Sequence, residues 1–336
     1  MKRFAILVGL VLPVLAVVCL VSGAWGEDKP DLRAKWDMPP KCDPFAAPAI
    51  KDLKEELRQT GYRLVIALHP DKPPTAKGEY LPRDLYLINA DGSGLKPLTA
   101  TPDKDETKPR VSPDGRWFTF NYGDFLVDVK TLKIRQAGGG YVWAPDSKRT
   151  VSCEKKGLLY TDMETGKESK PVPVAKRVDI LDLSQDGKWF IFEIRNYLGH
   201  EYTIDIMPAD GGEVRKLPNH PVKAGECHPA FSPDGRWHCW NAGDSLAVRR
   251  FDPSLPDATD GKITTLPKEK LGQDPCGRWS HCGRYIAFVR IPHLGSWKVH
   301  SPICIVRVAD GETITLSPPG LIGHHWDYDW LPPEEK

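Results

Sequence analysis

Apolar and polar residues alternate along most of this chain in short runs, each closed by a turn signal. Arg63-Leu64-Val65-Ile66-Ala67-Leu68, Asp84-Leu85-Tyr86-Leu87-Ile88, Arg116-Trp117-Phe118-Thr119-Phe120 and Lys188-Trp189-Phe190-Ile191-Phe192 are rich in β-branched and aromatic residues, the composition of strands. A helical period occurs near the start, where Ile50, Leu53 and Leu57 fall on one face ahead of Gly61.

The turn signals repeat. Ser112-Pro113-Asp114-Gly115 follows Val111 and recurs as Ser232-Pro233-Asp234-Gly235 after Phe231. Weaker copies are Ala144-Pro145-Asp146-Ser147 after Trp143, Ser184-Gln185-Asp186-Gly187 after Leu183 and Ser280-His281-Cys282-Gly283 after Trp279. Proline presets φ and glycine takes a positive φ, which predicts a type I turn with a bulge inside a hairpin. A second signal, Ala-Asp-Gly, stands at Ala90-Asp91-Gly92, Ala209-Asp210-Gly211 and Ala309-Asp310-Gly311. Each unit therefore reads as four strands: an anchor strand, the first hairpin, two further strands, the second hairpin and a last strand.

Four-stranded units with a period of roughly 40 residues are propeller blades. The first strands, from Arg63 and Asp84, lack an anchor strand before them, and Trp326-Asp327-Tyr328-Asp329-Trp330 is an anchor strand with no blade after it. Pairing the two closes the ring and removes its open edges. The expectation is an all-β fold: a six-bladed β-propeller of four-stranded blades over 62–332, its first blade closed by the C-terminal strand. A short N-terminal helix in an extension over 27–61 precedes it, and a tail over 333–336 follows.

The run Asp84-Leu85-Tyr86-Leu87-Ile88-Asn89-Ala90-Asp91-Gly92, then Leu98-Thr99, then Pro109-Arg110-Val111-Ser112-Pro113-Asp114-Gly115 resembles the WD40-like repeat of TolB-type β-propellers. The resemblance spans residues 62 to 332 and implies a six-bladed fold. It is specific for the fold and silent on activity, because such repeats occur in binding proteins, peptidases and pectin-degrading lyases. TolB carries an additional N-terminal domain that 27–61 is too short to hold. The resemblance thus implies a propeller that docks an envelope protein, without TolB's wider role in its envelope-spanning system.

The net charge is +1, so there is no electrostatic footprint for nucleic acid. Met1-Lys2-Arg3, an apolar run from Phe4 to Val21 and the small residues of Ser22-Gly23-Ala24 and Ala24-Trp25-Gly26 read as a secretory signal peptide over 1–26. The expected product is exported, periplasmic or secreted, with no membrane span after cleavage. Export permits disulfides, and pairing about the Ser232–Gly235 turn brings Cys227 close to Cys239, with Cys276 at a similar height on the next inner strand. Both Cys227–Cys239 and Cys227–Cys276 are candidate bridges.

Candidate chemistry lies where the anchor strands enter the ring, away from the turns. There the chain presents Glu106, Asp179, Glu226, His228, Asp274, His325 and Asp327 as a ligand-binding rim. His228, His324 and His325 with these carboxylates have the donor types for a divalent metal such as Mn²⁺ or Ca²⁺. The competing reading is that the carboxylates cap loop amides. The Gly138-Gly139-Gly140 run either opens the rim or serves a tight blade junction. No Gly-x-Ser-x-Gly elbow or phosphate loop is present, since Gly92-Ser93-Gly94 lacks the spacing. Two functions follow. The leading one is a non-catalytic module, with no cofactor, that binds an envelope or extracellular protein or glycan. The alternative is a metal-dependent polysaccharide lyase or hydrolase using the rim, as the resemblance to the oligogalacturonate lyase branch implies.

Overall fold

The computed structural model describes residues 43–69, 82–101, 103–155, 157–174, 180–196, 201–217, 226–242, 245–255, 258–259, 261–266, 276–290, 302–316 and 323–333, with the side chains of 180, 181, 195, 196, 201, 202, 226, 227 and 323–327 not described. The described residues belong to one compact unit, 32–336. The expected signal peptide and residues 27–42 of the extension lie outside the described residues.

Six antiparallel sheets form the blades. Blade 1 orders Gly323–Leu331, Arg63–Leu68, Asp84–Asn89 and Lys96–Pro97 from the inside outwards. Blade 2 runs Arg110–Val111, Trp117–Phe120, Phe125–Asp128 and Ile134–Gln136. Blade 3 has Val142–Trp143, Arg149–Glu154 and Gly157–Asp162, its fourth strand reduced to the isolated bridges Leu158↔Val172 and Thr161↔Glu168. Blade 4 comprises Ile180–Leu183, Trp189–Asn196, Glu201–Pro208 and Arg215–Lys216. Blade 5 comprises Glu226–Phe231, Trp237–Ala242, Ser245–Arg250 and Ile263–Leu266. Blade 6 comprises Arg278–Trp279, Tyr285–Val289, Ile303–Arg307 and Thr313–Thr315. Each anchor sits on an inner strand, and the C-terminal strand closes blade 1 with Leu64 opposite Trp330 and Arg63 opposite Leu331.

The recurring turn has one mechanism. Ser112 Oγ lies 2.7 Å from Asp114 Oδ1, accepts the Trp117 N–H at 3.1 Å and donates to the Trp117 carbonyl at 3.0 Å. Ser232 repeats this with Asp234 and Trp237. The basic residue after the glycine pairs with the same aspartate, Arg116 with Asp114 at 3.1 Å and Arg236 with Asp234 at 2.8 Å. Gly115 and Gly235 have φ of 65° and 67°, as a left-handed bulge requires. In the weaker third-blade copy Ser147 holds that place with φ 56°, and its hydroxyl accepts the Asp114 N–H at 2.9 Å.

The core is divided among the seams between blades. One cluster joins Val65, Leu85 and Leu331 to Phe118 and Val127, at the seam of blades 1 and 2. Leu126, Trp143 and Met163 fill the next, and Val151 and Leu158 meet Phe190 and Phe192 in the third. Ile191 and Ile206 meet Trp240 and Phe251, while Cys239 and Val248 meet Ile286 and Val306. The largest cluster lies between blades 6 and 1, where Leu53 and Leu57 of the helix join Tyr285, Ile305 and Trp330.

The helix spans Leu53–Thr60, capped by the Asp52 side chain, which accepts the Glu55 N–H, and ended by Gly61 at φ 67°. Ile50 falls outside it, because Asp52 takes the cap. Glu56 is buried, pairing with Arg307 at 2.5 Å and accepting the Tyr285 hydroxyl at 2.7 Å. Arg307 also donates to the Ile50 and Lys51 carbonyls at 2.8 and 2.7 Å, so one guanidinium of blade 6 fixes the helix and its approach.

The two candidate disulfides are corrected by this register. Neither Cys239 nor Cys276 forms a disulfide. The loop holds four residues between Ser232 and Trp237, and the inner strand is irregular between Cys227 and Ala230. Cys239 therefore faces Ala230, and Cys227 faces Asn241. Burial pushes the Cys239 thiol up to about 12, which makes it inert.

Candidate functional site

Two of the expected rim residues have described side chains. Glu106 is buried, and its carboxylate accepts the Leu85 N–H at 3.3 Å, the Thr101 hydroxyl at 3.0 Å and the Thr99 hydroxyl. It ties the loop entering blade 2 to the third strand of blade 1. His228 sits in the irregular stretch of the blade 5 inner strand with φ 61°, and its N–H donates to Glu193 Oε2 of blade 4 at 3.0 Å. The structure gives Glu106 and His228 separate partners in separate blades. Asp179 and Asp274 lie outside the described residues, as do the side chains of Glu226, His324, His325 and Asp327. Among the described residues no three His, Cys, Asp or Glu side chains gather as a metal site.

The glycine run serves a tight junction. A Cβ on Gly140 would lie 2.1 Å from the Val151 carbonyl, and one on Gly139 would lie 2.7 Å from the Met163 sulfur. The Gly140 N–H donates to Thr150 Oγ1 at 2.7 Å, so the strand entering blade 3 lies directly on its second strand.

Deeper in the ring, the residue just before each anchor forms a second tier: Arg110, Val142, Asp182, Ala230, Arg278 and Asp329. This tier and the anchors close the seams by two alternative bonds. Where the earlier blade offers aspartate, its carboxylate accepts the next anchor's N–H: Asp329 from Val111 and Asp182 from Phe231, both at 2.8 Å. Where the later anchor is tryptophan, its indole N–H donates back to the earlier blade's carbonyl. Trp143 donates to Arg110 and Trp330 to Arg278, each at 2.9 Å, and Trp279 to Ala230 at 3.3 Å. Blades 3 and 4 offer Val142 and Leu183, which can form neither bond, and apolar side chains fill that seam.

A cavity of about 160 Å³ occupies the channel at the turn end. Arg110, Arg278, Asp182 and Asp329 line it with Trp143, Phe231 and Trp279, and Pro113, Gln185, Pro233 and His281 form its mouth. The turns that build the blades thus also border the cavity, at the opposite end of the inner strands from the expected rim.

Its electrostatics are set by two guanidinium groups. Arg278 of blade 6 reaches across the ring and donates to the Tyr141 hydroxyl of blade 3 at 3.0 Å. Arg110 of blade 2 donates to the same hydroxyl and lies over its ring, 4.3 Å from the centroid. Burial, and then the charge of Arg278, bring Arg110 down to about 9. Burial raises Asp182, with Arg278 opposing. Burial also lowers His281, which leaves it neutral at pH 7. Two guanidinium groups and two carboxylates thus face the same cavity, with Arg278 and Arg110 favouring the charged form of Asp182, and Asp329 favouring that of Arg110. Sequence reading did not single out Arg110 and Arg278 as site residues, because they lie next to the anchors rather than at the strand entries. Their shared offset, one residue before an anchor, is the signal that identifies the tier.

No protein-family profile matches the chain. A curated relative, the uncharacterized peptidase YuxL of Bacillus subtilis (strain 168), is 30% identical over 176 residues, 47% of this chain. The match spans 25% of that protein's length. Among solved structures, TolB from Acinetobacter baumannii superposes with a TM-score of 0.60 at 16% identity, covering 80% of this chain and 66% of that one. A putative TolB from Agrobacterium tumefaciens gives 0.55 at 16% identity, covering 79% of this chain and 91% of its own. A chain of a nidogen/laminin complex also gives 0.55, at 11% identity, covering 80% of this chain and 98% of that one. Blade number, ring closure and these superpositions agree: in fold, the chain is a TolB-like six-bladed β-propeller.

Proposed function

We propose that this chain is an exported, non-catalytic propeller that binds a protein or glycan of the cell envelope or extracellular space, using its central channel. The observation that carries this reading is the cavity at the turn end of the channel. Its wall is rigid, because five of the six seams around it are tied by aspartate or indole bonds. A preformed concave site suits recognition, since little ordering entropy is lost on binding. The TolB-like fold and its likeness to a chain of a nidogen/laminin complex support a binding role.

The test is site-specific photocrosslinking in cells that produce the full chain. A photoreactive residue at Gln185, at the cavity mouth, captures a discrete partner, whereas one at Glu164, exposed on the outer side of blade 3, does not. Equal labelling from both positions would reject the channel as the binding face. Metal analysis of the purified protein tests the lyase or hydrolase alternative. Stoichiometric Mn²⁺ or Ca²⁺ that disappears in His228→Ala and His325→Ala variants would replace the binding reading with that one.

A further inference from the structure

We infer that one corner of blade 2 is a saccharide platform: Tyr122, with Tyr141 and Lys108 beside it, stacks against a pyranose ring of a neutral glycan. Tyr122 lies in the loop that joins Trp117–Phe120 to Phe125–Asp128, at the opposite end of the blade from the Ser112–Gly115 turn. The site is therefore separate from the turn-end cavity and goes beyond the reading built on it.

The backbone points to this corner first. Among the described residues, seven other than glycine have a positive φ, and three of them meet here: Lys108 at 54°, Asn121 at 51° and Tyr122 at 61°. Glycine and asparagine adopt this conformation readily, whereas the Cβ of tyrosine or lysine crowds the following carbonyl. Such strain persists only where the surroundings enforce it, and it collects at ligand sites. Tyr122 gains no burial in return. It is 58% exposed, the most exposed large apolar side chain among the described residues.

The surroundings hold the loop in place. The Asn121 N–H donates to the Thr107 carbonyl at 2.7 Å, its side-chain oxygen accepts the Thr107 N–H at 2.7 Å, and its amide donates to the Asp105 carbonyl at 3.2 Å. On the other side Gly123 presses against the glycine run of blade 3, where a Cβ would lie 2.5 Å from the Gly140 carbonyl oxygen. That close approach sets Tyr122 beside Tyr141, with ring centroids 6.1 Å apart and planes inclined by 45°. The Lys108 ammonium lies over the Tyr122 ring, 3.7 Å from its centroid, and donates to its hydroxyl. An aromatic ring fixed in this way loses little freedom on binding.

The chemistry of the platform selects a sugar. The face of an aromatic ring carries negative charge density and attracts polarised C–H bonds. A pyranose presents such bonds on one face and hydroxyls around its edge. Those hydroxyls accept from the Lys108 ammonium and exchange bonds with the Tyr122 phenol. An aliphatic side chain of a protein would cover the same ring but strip water from both polar groups without replacing it. The charge of Lys108 is offset by Asp124, exposed in the same loop, so the corner calls for a neutral sugar.

The experiment titrates the full chain by calorimetry with cellohexaose, chitohexaose, maltohexaose and a capped Gly-Leu-Gly peptide. At least one of the saccharides is expected to bind, Tyr122→Phe to keep that affinity within about threefold, and Tyr122→Ala to weaken it at least about tenfold. Tyr122→Gly gives a readout that a merely structural tyrosine would not. It is expected to lose binding yet melt no lower than the wild type, because glycine removes the strain. Absence of binding by all three saccharides at millimolar concentration, undiminished binding in Tyr122→Ala, or a Tyr122→Gly protein that melts well below the wild type would each overturn the platform. Binding of the peptide in place of the saccharides would also overturn it, by assigning the corner to a protein partner. The Gln185 crosslink reports on the other end of the channel. Failure of the platform therefore leaves the cavity reading standing, and failure of the crosslink leaves the platform standing.

Discussion

The Asp329 carboxylate accepts the Val111 N–H at 2.8 Å, so the last inner strand of the chain is bonded directly to the next blade of the ring. The same strand sends the Trp330 indole back to the Arg278 carbonyl at 2.9 Å. One short segment thus closes two seams as well as its own sheet. Asp329→Ala is expected to lower stability by about 1–3 kcal/mol, because it leaves a backbone N–H without its acceptor in the channel wall. Truncation before Trp326 removes the whole segment and should abolish the cooperative melting transition. A truncate that melts like the full chain in calorimetry would reject closure by this strand.

Glu56 and Arg307 form the strongest tie between the helix and blade 6. They are 2.5 Å apart, with side-chain exposures of 6% and 3%. Arg307 also pairs with Asp310 and Glu312, so Glu56→Ala should cost less than Arg307→Ala, which among the described residues leaves the buried Glu56 carboxylate only Arg284, at 3.4 Å, as an ion-pair partner and should cost about 3–5 kcal/mol. The two losses should be far from additive in a double-mutant cycle measured by denaturant unfolding. Additive losses would mean that the pair acts only through its separate contacts.

Ser147 occupies the left-handed position that glycine holds in the other turns, and its hydroxyl also bonds the Asp114 N–H. Ser147→Gly should relieve about 1–2 kcal/mol of backbone strain and lose roughly 1 kcal/mol of hydrogen bonding, leaving stability nearly unchanged. Ser147→Ala keeps the strain and loses the bond, so it should be less stable than Ser147→Gly by about 1 kcal/mol or more. Thermal melts of the two variants settle the comparison.

His281 has a folded pKa below its ordinary value, chiefly because of burial, with Asp329 opposing. In the window between that lowered value and the unfolded value of about 6.5, the unfolded chain binds more protons. The stability that His281 contributes is therefore present above about pH 6.5 and is lost as the pH falls through the folded pKa. His281→Gln should show a shallower fall in melting temperature from pH 7 to pH 5 than the wild type. An unchanged slope would remove His281 as a source of acid sensitivity.

Much of the architecture is legible in local sequence. The turn tetrapeptides specify hairpins because Ser112, Asp114, Gly115 and Arg116 satisfy one another within a few residues, and five copies in order imply blades. Asp52 and Gly61 likewise mark the helix ends through local bonds and a local φ. The disulfide candidates failed because they depended on strand register, which shifts around an irregularity that no nearby residue announces. Glu106 was recognised as polar at a strand entry, and its partners Thr99 and Thr101 are near in sequence, but its bond to the Leu85 N–H in the third strand of blade 1, 21 residues away, follows no local pattern.

By itself the sequence determined the repeat, the anchors, the six-blade count and the closing role of the last strand. These depend on φ preferences, alternation and short-range hydrogen bonds, which act between near neighbours. Only the tertiary structure decided what the channel contains. Arg110, Tyr141 and Arg278 come from three blades, and their meeting depends on ring curvature and on which way each inner strand turns its side chains. The division of labour among the seams, with Asp329 and Asp182 serving some and Trp143, Trp279 and Trp330 others, follows for the same reason. Each bond joins residues of different blades, and only closure of the ring places them within hydrogen-bonding distance.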